Sequence, residues 1–437
     1  MAALCRTDKY LKTHTTRGLT SMAPEAAPFG HARNMTGSLS LSGVIRPTPA
    51  ALSAQIWVGE GSRRGNRKAV SHFMYRPALL TLQAGLLSAG ITASINYDLR
   101  LLRPALKAIS PADLFIWMGA LDLDAIGAFA LHNLTVRGVL TVYYSTEADA
   151  WHSCAQKQKL VVREVWEYSR SNTLCCNGVY RKPWRFVPPG FIPGGQLAQP
   201  SAEQQLVFIG SNSRWYDMRQ RCLGQIDIGL KLTRASGALP HMTASCESSF
   251  CALPDCGNYS CPLRVSNTAH SDLSWKLELQ RTSTFLNLHK ACNDSAVYTA
   301  ACETFRFAPL LSAGAAIVSE HCHSADEADY EGLVNFAPVA DLAAAATASW
   351  RDHARGATSV HERSALFAER FSPAAIFERA GITAMLAAHQ AHRREAPANF
   401  FKDVGFSGPR YEALLRKLRA RVLTPVRGAE RGWCRKS

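Results

Sequence analysis

The sequence predicts an α/β protein built as two successive Rossmann-like halves, each a parallel sheet covered by helices. Three observations lead there. Short apolar runs alternate with longer helical stretches, the pattern of strands buried between helices. That pattern halts at a Pro- and Gly-rich stretch near residue 190 and then begins again. The chain has 437 residues, 47% hydrophobic and 19% charged, which is enough for two globular domains and too apolar for long-range disorder.

Residues 1–50 hold Arg6, Lys9, Lys12, Arg17, Arg33 and Arg46 against Asp8 and Glu25, with frequent Ser and Thr. No apolar stretch follows the early basic residues, so a secretory signal does not fit. The segment reads as an organelle transit segment or as a disordered start. The fold is therefore expected from residue 51 onward. Residues 54–58 (AQIWV) are the first strand and run into a loop holding Gly59, Gly61 and Gly65. A helical stretch over 71–88 stops at Gly90. Strands are expected at 91–97, 113–118 and 140–144, and the run 184–187 ends a first domain spanning 51–192. Pro188-Pro189-Gly190 breaks the pattern and 193–200 reads as linker.

The second domain, 201–385, opens with a strand at 205–209 (QLVFI), the turn Gly210-Ser211-Asn212-Ser213 and a helix over 215–226. Strands follow at 284–288, 315–319 and 333–336. Helices are expected over 303–312, closed by Gly314, and over 340–350. Residues 229–271 are rich in Ser, Cys and turn formers and read as a Cys-rich inserted loop. Residues 386–437 form a basic helical tail that includes Arg393, Arg394, Arg416, Lys417, Arg419, Arg421, Arg427, Arg431, Arg435 and Lys436.

Composition excludes some classes. Mean hydropathy is −0.09, and no apolar run approaches the ~20 residues of a membrane span, so a polytopic membrane protein is excluded. Thirteen Cys in this length are too dilute for a small disulfide-stapled domain. The formal net charge of +15 points to an anionic partner: nucleic acid, a phosphorylated ligand or a membrane surface. Much of it lies in the tail, which is either a solvated surface or an anionic contact. The expected location is organellar or cytoplasmic.

In open parallel sheets, ligands bind beyond the carboxyl ends of strands. This nominates 59–65, 118–122, 145–149, 210–214, 289–290 and 320–323. Gly210 and Ser211 stand between a strand and a helix, where small residues and free N–H groups receive a phosphate; the same turn serves as a plain helix start. The Gly59 loop misses the G-x-G-x-x-G spacing and reads first as a tight turn, facing an acceptor if it faces a ligand. His289, at a strand end, is a site residue or a structural hydrogen-bonder. Glu303 and Arg306 are three apart and share a helix face. They form a surface ion pair, or else a carboxylate for ribose hydroxyls beside a guanidinium for a diphosphate. Cys246, Cys251, Cys256 and Cys261 recur every fifth residue. That C-x₄-C spacing is at the edge of zinc-site usage, so free thiols, disulfides and structural zinc all stay open.

Several segments together resemble a known family: Val165-Trp166-Glu167-Tyr168-Ser169 with Asn172; Arg185-Phe186-Val187-Pro188-Pro189-Gly190; Val207-Phe208-Ile209-Gly210; Phe285-Leu286-Asn287-Leu288-His289; and the run from Glu303 through Arg306 and Pro309 to Gly314. In order and spacing they resemble glycosyltransferases of the GT-B type (glycosyltransferase group 1), over roughly residues 56–347. The resemblance implies a nucleotide-sugar donor in the second domain and an unidentified glycan, lipid or protein acceptor in the first. It implies a hexosyltransferase type of activity with no bound metal and no cofactor, the nucleotide-sugar being substrate. It places Gly210 and Ser211 near the phosphates, His289 near the donor, and Glu303 and Arg306 on the nucleotide. One departure stands out: many relatives carry a ribose-binding Glu where this chain has Pro309. Glu303 substitutes for it, or donor binding is weakened and the protein is an inactive GT-B-like binding protein. An inverting reaction needs a base, and by position Glu147, then Asp122, is the best carboxylate, each with an N-capping alternative. A nucleic-acid-binding role for the basic chain is the remaining reading, without a motif to support it.

Overall fold

The computed structural model describes residues 52–59, 68–97, 101–109, 113–119, 125–146, 160–177, 182–194, 206–209, 217–235, 263–266, 284–289, 300–353 and 358–395, with single positions 154, 157, 197, 198, 279 and 292 between them. The first sheet holds β1 (Ser53–Val58), β2 (Thr92–Asn96), β3 (Leu114–Met118), β4 (Leu140–Ser145), β5 (Glu164–Glu167) and β6 (Trp184–Phe186) in the order β2-β1-β3-β4-β5-β6. The second holds β7 (Leu206–Ile209), β8 (Leu263–Ser266), β9 (Thr284–Asn287), β10 (Ala316–Glu320) and β11 (Val334–Ala337) in the order β11-β10-β9-β7-β8. Every pairing is parallel. Both sheets are doubly wound, with chain order reversing between β1 and β3 in one and between β7 and β9 in the other. This is the layout of two Rossmann-like halves that the sequence predicts.

Parallel sheets need both faces covered, so their inner strands read as continuous apolar runs. LFIWM of β3 and LTVYYS of β4 are buried along their whole length, as are β7, β9 and β10. Among the described residues the helices are α1 (Lys68–Ser88), α2 (Leu102–Ala108), α3 (Ala125–Val136), α4 (Arg170–Asn177), α5 (Asp217–Ala235), α6 (Thr304–Ser312), α7 (Ser324–Asp329), α8 (Leu342–His353), α9 (Thr358–Phe371), α10 (Pro373–Arg379) and α11 (Ile382–Glu395). Gly314 ends α6 with φ +71, and a Cβ there would lie 2.1 Å from the Val360 carbonyl oxygen. Both the left-handed backbone and the close approach require glycine.

Three features differ from the expectations. The strand β5 was not foreseen, because EVWE carries a carboxylate at each end. Tertiary partners neutralise both: Arg185 grips Glu164 at 2.7 and 2.8 Å, and Lys157 reaches Glu167 at 2.6 Å. Second, the stretch expected as an insertion over 229–271 begins as the last part of α5, and residues 263–266 form β8, the edge strand beside β7. The run LRVS carries Arg264 and Ser266, so it lacks the continuous apolar pattern that marks the inner strands. The Cys246, Cys251, Cys256 and Cys261 run lies outside the described residues. Third, the expected boundary at 385 falls inside α11.

The Pro188-Pro189-Gly190 segment, where the pattern breaks, is buried. Gly190 N donates to Thr81 Oγ1 of α1 at 2.7 Å, and a Cβ on Gly190 would lie 2.4 Å from the Phe371 carbonyl oxygen. The chain thus threads between α1 and α9. The helices after β11 return to the first half: α10 packs on α1, Phe377 meets Trp166 edge-on at 5.9 Å, and Arg185 Nη1 donates to the Ala380 carbonyl at 2.6 Å. One apolar core accordingly runs through both halves, from Ile56 and Tyr144 to Phe285, Phe307 and Phe371.

A polar joint completes this. Asp326 of α7 is 1% exposed and receives four donors from the start of α4. They are Arg170 N at 2.6 Å, Ser171 N at 3.2 Å, Ser171 Oγ at 2.7 Å and Ser169 Oγ at 3.1 Å. The carboxylate thereby satisfies N–H groups that a helix start leaves open. Beside it Arg170 pairs with Asp329 through two contacts of 2.6 and 2.9 Å. Burial raises the Asp326 pKa despite these donors. Replacing Asp326 by Ala leaves buried donors without an acceptor, so we expect a loss of about 3 kcal/mol in denaturant unfolding, and a smaller loss for Asp326→Asn. An unchanged unfolding midpoint for Asp326→Ala would show that the joint is not what holds the halves together.

Candidate functional site

At the carboxyl end of β9 the chain passes through Leu288 to His289, next to Glu320, the last residue of β10. Glu320 Oε1 accepts the His289 backbone N–H and lies 2.9 Å from His289 Nδ1. On the ring's other side, Nε2 is 3.0 Å from the Ala301 carbonyl oxygen. A carbonyl only accepts, so Nε2 carries a proton. The ring therefore bridges the end of β10 to the segment that leads into α6. It is 7% exposed and both nitrogens face protein groups.

The electrostatics follow from that placement. Burial works against the imidazolium, but the Glu320 carboxylate, the charge of Glu303 and the Ala301 carbonyl outweigh it. The His289 pKa is held above its ordinary value.

Cations gather at the same place. Arg306, in the first turn of α6, donates from Nη1 to Asn287 Oδ1 at 3.0 Å and to the Leu288 carbonyl at 3.2 Å. Asn287 is itself held by a 3.0 Å bond to Ser319 Oγ. Arg219 of α5, 2% exposed, donates from Nε to the His289 carbonyl at 3.2 Å. The two guanidiniums lie 5.2 Å (Arg219) and 5.4 Å (Arg306) from the centre of the Phe208 ring in β7. Attraction of cations to that ring's face adds to the hydrogen bonds in fixing them. Arg306 is half-buried, and its Nε and Nη2 meet no hydrogen-bond acceptor among the described residues.

The structure thus brings three of the sequence-derived candidates, His289, Glu303 and Arg306, to the switch point of the second sheet. Glu303 is the N-cap position of α6, with no capping bond from its side chain, so it precedes the helix that Arg306 begins. Gly210, Ser211, Asp122 and Glu147 lie outside the described residues. Arg219 was not singled out from sequence. It sits inside a helix with nothing in its spacing to distinguish it, and it becomes visible only when α5 packs beside β9. Glu320 fell within a nominated stretch without a role of its own. Among the described residues, no group of three or more His, Cys, Asp and Glu side chains is placed to hold a metal ion, and no helix is long and apolar enough to cross a membrane.

The first half ends its strands differently. Gly59, after β1, donates its N–H to the Met118 carbonyl at 3.0 Å, and a Cβ there would lie 3.0 Å from the Trp117 ring. Packing thus accounts for this glycine. Glu167, at the end of β5, is fully buried on Lys157, and burial outweighs that lysine in raising the carboxyl pKa.

No family model matches the chain, and no curated protein matches it. Similar solved structures exist. The Anabaena protein Alr3699/HepE, solved with UDP and glucose, is 13% identical over 76% of this chain and 99% of its own, with a TM-score of 0.41. AviGT4, a glycosyltransferase of avilamycin A biosynthesis, is 12% identical over 77% of this chain and 98% of its own, with a TM-score of 0.45. Sucrose-phosphate synthase from Thermosynechococcus elongatus is 10% identical over 78% of this chain and 100% of its own, with a TM-score of 0.43.

The His289 contacts carry a pH signature. Its folded pKa is raised, so its stabilising contribution is complete below the ordinary value of 6.5 and is lost as pH rises through the raised value. The stability difference between the wild type and His289→Gln should therefore be largest in mild acid and shrink toward alkaline pH. Urea unfolding of both proteins across that range tests this; a pH-independent difference would refute it.

Proposed function

We propose that this chain is a glycosyltransferase that transfers a sugar from a nucleotide-sugar donor to an acceptor. The donor sits at the carboxyl ends of β7 and β9. The observation that carries this reading is Arg306. It is anchored through one nitrogen at the sheet's switch point, in the first turn of a helix, with two donor nitrogens that meet no acceptor among the described residues. A diphosphate has the charge and the acceptors to take them, and the start of α6 adds partial positive charge. Gly210 and Ser211, which follow β7 directly in the chain, complete the phosphate side. Basic groups and helix N-termini then stabilise the leaving diphosphate in place of a metal ion.

His289 in this reading orders the site: its ring spans Glu320 and Ala301, and so sets the entry to α6. The acceptor, a glycan, lipid or protein, lies on the first half. Glu147 and Asp122, which follow β4 and β3 in sequence, are the proposed carboxylates for proton abstraction there.

A second reading, a nucleotide-binding protein without transfer activity, is favoured by Pro309. It stands inside α6, where many members of the resembled family carry a ribose-binding carboxylate, which leaves Glu303, the N-cap residue one to two turns away, as that helix region's acidic candidate.

A thermal-shift screen with UDP, GDP, ADP and their sugars identifies the nucleotide, since binding to the native state raises Tm. Arg306→Ala should then weaken that nucleotide by about 1.5–3 kcal/mol in isothermal titration, the scale of charge-assisted hydrogen bonds. Glu303→Gln should weaken it less, because an amide oxygen still accepts. Unchanged affinity in both variants would remove the site assignment. Tight binding without turnover of any donor sugar would favour the second reading.

A further inference from the structure

Seven cysteines lie among the described residues, and all seven are disulfide-bonded: Cys154 with Cys176, Cys222 with Cys292, Cys302 with Cys322, and Cys175. Two of these bonds bracket the candidate site. Cys292 is three residues after His289, Cys302 immediately precedes Glu303, and Cys322 is two residues after Glu320. We propose that this site is assembled by oxidation. The Cys302–Cys322 bond fastens the segment 300–303, and with it Glu303 and the first turn of α6, to the end of β10, so the chain matures and acts in an oxidising compartment.

The contacts around the bond support this. Apart from the disulfide, His323 N donates to the Ala300 carbonyl at 2.8 Å, and His289 Nε2 meets the Ala301 carbonyl. These are individual hydrogen bonds of ordinary strength, whereas the cross-link closes a loop of 20 residues covalently. On its other side Cys322 leads into α7. Its N–H donates to Glu327 at 2.7 Å, and His323 caps the helix by accepting from Ala325 N at 3.1 Å. That helix carries Asp326, the joint to α4. One covalent bond thus lies between the strand-end site and the contact that unites the halves. Cys302 and Cys322 are 0% and 2% exposed, so a reductant reaches them after local opening. This describes an assembly element, not a fast switch. Pairing of every cysteine among the described residues is the usage of oxidising compartments and is rare where thiols are kept reduced.

The chemistry is thiol–disulfide exchange with a disulfide-bearing oxidant. The Cys302 or Cys322 thiolate attacks that disulfide and expels one thiol. The second cysteine then attacks the mixed disulfide and expels the other. Two cysteine thiols lose two protons and two electrons, and the oxidant leaves as two thiols.

The test uses the full chain. Disulfide mapping of protein made in an oxidising compartment should recover Cys302–Cys322. In hydrogen-exchange mass spectrometry, peptides covering 284–289 and 300–306 should exchange at least tenfold faster in Cys302→Ser/Cys322→Ser. They should be unchanged in Cys154→Ser/Cys176→Ser. If the serine pair does not fold, Cys302→Ala/Cys322→Val keeps the buried positions filled and takes its place. A free thiol at Cys302 or Cys322, or unchanged exchange in the folded variant, overturns the proposal. A second arm rests on the nucleotide reading above: UDP, or whichever nucleotide the screen selects, should bind the variant at least tenfold more weakly. If no nucleotide binds the wild type, that reading fails while the exchange measurement still decides this one.

Discussion

The Asp326 carboxylate, buried on the opening turn of α4, is the contact on which the relation of the two sheets depends. It comes from the helix after β10, in the second half, and closes open N–H groups on a helix of the first. A buried carboxylate is costly unless its lone pairs are filled, and here two backbone amides and two serine hydroxyls fill them. The requirement runs both ways, because the helix start needs an acceptor as much as the carboxylate needs donors. Around this joint the apolar core is continuous, and the returning helices α10 and α11 seal the other side.

The candidate site lies a short distance along the same chain. Between Glu320 and Asp326 the backbone passes Cys322 and His323, so whatever orders the end of β10 also orders the joint. The site itself is a balance of charge. Arg219 and Arg306 concentrate positive charge at the sheet's switch point, Glu320 and Glu303 lie beside it and hold the His289 pKa up, and the Phe208 ring holds the two guanidiniums from one side. It is this cluster that the proposed donor diphosphate would meet.

Much of the fold was legible in the sequence because inner parallel strands must be apolar throughout. IWV, LFIWM, LTVYY, LVFI and AIVS each mark a strand that the structure contains. β5 and β8 were not legible. The first has carboxylates at both ends that become acceptable only beside Arg185 and Lys157. The second is an edge strand of four residues whose pairing with β7 depends on a partner remote in sequence. The burial of the Pro188-Pro189-Gly190 segment was not legible for a related reason. Its composition marks a break in the chain, but whether a break is exposed is decided by what packs on it, here Thr81 and Phe371.

At the site the division is similar. The sequence by itself determined which strand ends carry polar residues, and so nominated His289, Glu303 and Arg306, because strand periodicity and helix spacing are local properties. It could not determine what each side chain meets. That His289 spends both ring nitrogens inside the protein, that Arg219 joins Arg306 over one ring, and that the seven cysteines among the described residues are all paired depend on contacts between residues well separated in the chain. Such contacts exist only once the two sheets have formed and their helices have packed, so tertiary structure alone decided them.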